Sequence, residues 1–174
     1  CHPKKNTAMI VLQGEIELSF IRDVAPHRLF GLDKINIFRG RFHQTRAVSD
    51  GVVMLEVEAP DNKRDILRLE DEYGRVGKPI EDATVSLDTA TCLQIMDIGS
   101  VQFAGCNLRV IRPESAYDLA KDKSWHEIFV SLSGGLNHGL VPPGDAIDGR
   151  TLTRFVREFG IVPHSTFLQI RSVT

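Results

Sequence analysis

From Val52 to Glu58 the chain reads VVMLEVE, with Val53, Leu55 and Val57 on one side of an extended strand and Met54, Glu56 and Glu58 on the other. A period of two cannot form a helical stripe, and short runs of this kind recur along the chain. Ala8 to Leu12 is apolar throughout and closes at Gln13-Gly14, after which Glu15 to Phe20 alternates. Another strand candidate passes through Ile35 and Ile37 to Arg39-Gly40, and Pro60 closes VVMLEVE. Strand patterns resume at Cys92 to Met96, Val101 to Ala104, Leu108 to Ile111, Ile128 to Leu132 and Thr166 to Ile170. The expectation is an all-β fold of antiparallel sheet with one face buried, plus short helices.

Three segments depart from that pattern. Ile66, Leu69 and Tyr73 suit one stripe of a short helix between Asp61, a plausible N-cap, and Gly74, a plausible C-terminal cap. Tyr117 to Lys121 reads as a helical turn. Thr151 to Phe159 reads as a second helix, with Leu152, Phe155, Val156 and Phe159 on one side. Arg75 to Asp88 reads as an extended connector.

Two of the apolar runs resemble each other. IVLQGEIEL and FVSLSGGL both pass into a glycine turn, followed by Gly31 to Asp33 in one case and Pro142 to Asp145 in the other. That suggests two related β units, 1–85 and 86–174, within a chain of 174 residues.

Composition narrows the function classes. A net charge of −2 supplies no basic field for nucleic acid. No apolar run approaches the ~20 residues needed to span a bilayer, so neither nucleic acid nor membrane is an expected partner. Three cysteines, Cys1, Cys92 and Cys106, form no disulfide framework. Cys92 and Cys106 are expected as small buried hydrophobes, and a reducing cytoplasm fits best.

The stretch LDKINIFRGRFH carries a more specific likeness. Its Asp33, Gly40 and His43 resemble the second signature of the cupin superfamily, with Leu32 in place of a glycine and Phe38 in place of a proline. The first cupin signature pairs two histidines with a Glu seven positions before a glycine. Counting back from Gly14, His2 falls at the second histidine, Thr7 stands where the Glu belongs, and the first histidine position precedes Cys1. The resemblance implies a jelly-roll barrel, a double-stranded β-helix. Counting back from Gly134 gives Glu127, but Ala120 to Lys123 holds no histidine and Phe155 replaces the later one. The second unit therefore resembles a degenerate cupin half. A narrower likeness lies in VEAPDNKRDILRLEDEYGR, which is similar to a segment of cupins that accompany bacterial sugar-nucleotide and surface-polysaccharide enzymes. It implies a sugar or sugar-phosphate ligand.

Within that frame His43 is the leading candidate, as catalytic base, ligand contact or metal ligand. His2 is the second candidate for a divalent transition metal, which needs three or four N/O donors at roughly 2.0–2.2 Å. Thr7 is a poor substitute for a carboxylate. Glu56 and Glu58 share a strand face and could work with His43 as acid and base if that face turns inward. If Val53, Leu55 and Val57 face inward instead, the glutamates are solvated, and the alternation favours this arrangement. Arg68, Tyr73 and Arg75 could grip a phosphorylated sugar. Yet Asp61, Asp65, Glu70, Asp71 and Glu72 are interleaved with the basic residues, as on an ordinary solvated face.

The implied function is binding of a sugar or sugar-phosphate in bacterial surface-carbohydrate metabolism, with an isomerase or epimerase activity. The alternatives are a non-catalytic cupin module that holds a ligand or stabilises a partner, and a metal-dependent oxygenase. A cupin barrel normally has strands ahead of its first signature, and unpaired edges favour pairing with a second copy. A homodimer is therefore expected.

Overall fold

The computed structural model describes residues 1–60, 62, 64–70, 74, 76–77, 99–121 and 123–173. It is predominantly β, with three antiparallel sheets. β1 (Asn6–Gln13) lies between β4 (Lys34–Ile37) and β6 (Val53–Ala59) in the first sheet. β2 (Ile16–Phe20) lies between β3 (His27–Leu29) and β5 (His43–Ala47) in the second. The third runs in the order β10 (Ala146–Asp148), β9 (Glu127–Ser133), β11 (Thr166–Ser172), β8 (Cys106–Ile111) and β7 (Ser100–Phe103).

The first sheet is covered on both faces, and this explains its sequence. Ala8, Ile10 and Leu12, with Val53, Leu55 and Val57, pack against Leu108, Ile128, Val130, Leu168 and Ile170 of the third sheet. Met9 and Ile37, with Ile35 and Met54, pack the other way, against Leu18 and Phe20 of the second sheet. A strand covered on both sides needs apolar residues at consecutive positions, which is why Ala8 to Leu12 does not alternate.

The repeat seen in sequence is present in hydrogen bonds. Val11 N–H donates to the Asp33 carbonyl at 3.0 Å while its own carbonyl accepts from Leu32. Ser131 N–H donates to the Asp145 carbonyl at 2.9 Å while its carbonyl accepts from Gly144. After each hairpin glycine the next residue donates its N–H to a serine hydroxyl: Glu15 to Ser49 Oγ at 2.8 Å, and Gly135 to Ser165 Oγ at 3.0 Å. Gly14 has φ +82° and a Cβ there would lie 2.9 Å from Ser49 Oγ, so this turn requires glycine. The order β4-β1-β6 is thus repeated as β10-β9-β11, and the two triplets pack face to face.

The units diverge in what covers their outer faces. The first has the sheet β3-β2-β5 there. In the second, the counterpart is reduced to one bridge, Leu136 to Ile161. Leu119 of α1 (Ala116–Leu119) and Leu152 and Val156 of α2 (Gly149–Phe159) pack on Phe129, Ile147 and Phe167 instead. Asp148 caps α2 by accepting from Thr151 N–H at 2.9 Å.

The helix expected between Asp61 and Gly74 is not what the described residues of that segment form. Residues 65–68 form neither helix nor strand. Leu67 N–H donates to the Cys1 carbonyl and the Leu67 carbonyl accepts from the Cys1 amine, while Asp65 Oδ2 accepts from the N–H groups of Lys4 and Lys5. Their polar groups are satisfied by residues 1–5, so the helical spacing of Ile66 and Leu69 decides nothing. Cys106 is buried as expected, while Cys92 lies outside the described residues. No helix among the described residues is long and apolar enough to cross a membrane.

Candidate functional site

The segment at residues 1–5 is strapped into place before β1 begins. Gly40 N–H donates to the His2 carbonyl at 2.7 Å, and the strap at 65–67 closes the other side. The His2 ring is thereby fixed, with Nδ1 2.7 Å from the Asp65 carbonyl. A carbonyl only accepts, so Nδ1 carries the hydrogen and Nε2 faces the site. His43 opens β5, opposite Phe20 in register. Its Nδ1 lies 3.0 Å from the Arg41 carbonyl and is likewise the protonated nitrogen. The two rings stand 5.7 Å apart, tilted by 44°.

Glu56 and Glu58 come from β6, opposite Met9 and Thr7 of β1. As the alternation favours, Val53, Leu55 and Val57 face the third sheet, and Glu56 and Glu58 take the other face, beside the histidines, with Glu56 exposed and Glu58 half-buried. Both faces of β6 are partnered, so the apolar face did not identify the one that carries the site. Donor atoms of His2, His43 and Glu56 all lie within 4.8 Å of one another. Glu58 Oε1 is 3.1 Å from His2 Nε2, and its Oε2 is paired with the buried Lys5 ammonium.

Burial draws the His43 imidazole below its ordinary pKa, the Arg41 carbonyl opposing and neighbouring His2 adding to the effect. Burial also pushes the Glu56 carboxyl above the usual range, with the Glu58 carboxylate acting in the same direction. An imidazole shifted downward and an exposed carboxyl shifted upward thus stand side by side. Thr7, across from Glu58, is 1% exposed, and its Oγ1 has no hydrogen-bond partner among the described residues.

Arg68 is half-buried on the strap, one residue beyond the Leu67–Cys1 pair. Tyr73 and Arg75 lie outside the described residues. Sequence reading missed Lys5 and Asp65. Lys5 showed only as a charge before a strand pattern and Asp65 only as one of the interleaved acids of an expected helix, both ordinary on a protein surface. In the second unit the counterparts of Thr7, Glu56 and Glu58 are Glu127, Gln169 and Arg171. There Glu127 Oε2 accepts from Gln169 at 3.0 Å and from Arg171 at 3.2 Å, a self-satisfied cluster. Comparison with protein-family models and with curated proteins finds no match for this chain.

Proposed function

We propose that the chain is a two-unit cupin whose first jelly roll binds a sugar or sugar-phosphate and moves a proton beside its carbonyl group, as an isomerase or epimerase. One observation carries this reading: the convergence of His2, His43 and Glu56 donor atoms within 4.8 Å. His43, neutral because buried, takes the proton from the carbon next to the carbonyl. Glu56, its carboxyl shifted upward, acts as the acid, hydrogen-bonding the carbonyl oxygen in its protonated form and giving it a proton as charge develops. Glu58, paired with the buried Lys5, places a second carboxylate 3.1 Å from His2 Nε2.

A divalent transition metal fits the same residues. Both imidazoles hold their Nδ1 hydrogens on backbone carbonyls, the outer arrangement that leaves Nε2 as the ligand atom. His2, His43 and Glu56 would hold such an ion, which when bound would polarise the substrate carbonyl as a Lewis acid.

The test is isotope exchange. Incubated with aldose and ketose phosphates in D2O, the wild-type protein should exchange the hydrogen next to the carbonyl, read by proton NMR. His43→Ala and Glu56→Gln should lose exchange by at least about a hundredfold. Saturable sugar binding without exchange would instead leave a ligand-holding module.

A further inference from the structure

α2 has a second face. Its apolar side fills the second unit, and its outer side carries Arg150, Arg154 and Arg157 at i, i+4 and i+7, one stripe of like charge. Like charges at that spacing disfavour an isolated helix. The loop before β9 is pressed against this stripe. A Cβ on Gly149 would lie 2.5 Å from Lys123 Cβ and 2.6 Å from the Ser124 carbonyl oxygen, so only glycine lets the loop approach. Thr153 Oγ1 donates to the Lys121 carbonyl at 3.1 Å, and Arg157 donates twice to the Ala120 carbonyl at 3.2 and 2.8 Å.

Between loop and helix lies a cleft of about 690 Å³, lined by Lys123, Arg150, Thr153, Arg154, Arg157 and Glu158. Four cations face one carboxylate there, in a chain whose net charge is −2. Among the described residues, Lys123, Arg150 and Arg154 have no carboxylate partner. Arg150 and Arg154 instead stack on rings, Arg150 over Trp125 at 5.2 Å and Arg154 over Phe155 at 5.3 Å. Trp125 is 56% exposed and lies against the lining residue Arg150.

We propose that this cleft binds a nucleoside diphosphate, the phosphates on Lys123, Arg150 and Arg154 and the base stacked on Trp125. Guanidinium forks match phosphate oxygens in pairs, and the volume suits a ligand of that size. A base on an exposed indole gains stacking that a bare phosphate cannot. The site is separate from the histidine cluster and does not rest on it.

Trp125 is the chain's single tryptophan, so its fluorescence reports on this cleft alone. Titration with ADP or UDP should give saturable quenching, against sodium chloride at matched ionic strength. Affinity should fall by roughly tenfold or more in Arg154→Glu, whose exposed position leaves folding intact, checked by circular dichroism. Pyrophosphate should bind at least about tenfold more weakly than ADP. No saturable quenching, equal affinity in Arg154→Glu, or pyrophosphate as tight as ADP would each overturn the proposal.

Discussion

Asn36 and Ala146 exchange two hydrogen bonds between the units: Asn36 Nδ2 donates to the Ala146 carbonyl at 2.9 Å, and Ala146 N–H donates to Asn36 Oδ1 at 2.8 Å. The side-chain amide completes the edge of β10 as a neighbouring strand would. By the repeat, Asn36 corresponds to Asp148 and Ala146 to Lys34, and those two residues also meet, Lys34 Nζ lying 3.7 Å from Asp148 Oδ2. The two packed triplets are therefore joined by equivalent contacts at β4 and β10.

The first contact should matter more than the second. Asn36→Ala strands an N–H and a carbonyl at a residue only 5% exposed, at about 2–4 kcal/mol of unfolding free energy. Lys34→Ala removes a long, partly solvated pair and should cost about 1 kcal/mol or less. Urea unfolding of both variants gives the comparison, and similar losses would contradict the inequality.

Glu58 is paired with a buried cation. Lys5 is 3% exposed, so Glu58→Gln leaves an ammonium without its counter-charge, at about 3–5 kcal/mol. Lys5→Met removes the buried charge and leaves Glu58 with His2 and solvent, so its loss should be clearly smaller. Thermal melts of the two variants read this asymmetry; equal losses would mean that the pair does not govern stability here.

The strands with strong patterns were legible before the fold was known. β1, β2, β4, β6, β8, β9 and β11 fall on the expected runs, because burial of one pleated face or of both dictates apolar residues at alternate or at consecutive positions. β3 (HRL) and β5 (HQTRA) carry too few apolar residues to register, since each has an open outer face. β5 nonetheless places His43, so half of the site rested on a strand that periodicity could not show. Alternation did mark the apolar face of β6, since Val53, Leu55 and Val57 turn to the third sheet. It could not show that residues 1–5 and β5 bring His2 and His43 beside Glu56 on the other face. The segment at 65–68 misled for a related reason: its partners are residues 1–5, and no local spacing encodes them.

Thr7 offers a test of whether the site is built for a polar guest. Its hydroxyl is buried with no partner among the described residues, so Thr7→Val, close to isosteric, should be neutral or stabilise by about 1 kcal/mol in the free protein. If a ligand or ion uses the hydroxyl, the same variant should bind it more weakly despite equal or greater stability. Denaturation and ligand titration on one preparation separate the two effects, and destabilisation would show that Oγ1 is already satisfied.

Metal affinity should follow the imidazoles. Titrated with Co(II) and followed by visible absorption, the wild type should develop d–d bands, and His43→Ala or His2→Ala should weaken binding by at least about a hundredfold, beyond the 10–100-fold typical of outer partners. Glu127→Gln, the equivalent change to Thr7's counterpart in the second unit, should leave Co(II) binding untouched because its cluster holds no histidine. Equal effects at both places would remove the first unit's site as the metal centre.

Asp145 sets a pH dependence whose sign can be worked out. Burial pushes its carboxyl above the ordinary value of 3.8, and Oδ1 has no partner among the described residues. Its counterpart in the first unit, Asp33, is satisfied by the Phe30 N–H at 2.8 Å. With the folded-state pKa above the unfolded one, the native form holds the proton longer. Stability therefore falls as pH rises from the ordinary carboxylate range through the folded value. Below that window the cost is absent, and above it the cost is complete. Asp145→Asn abolishes the titration, so the variant should be more stable than wild type near neutral pH, with the advantage shrinking toward about pH 4. Urea midpoints measured across that range decide it. An advantage that is constant with pH would mean that the Asp145 carboxyl does not change its protonation on folding.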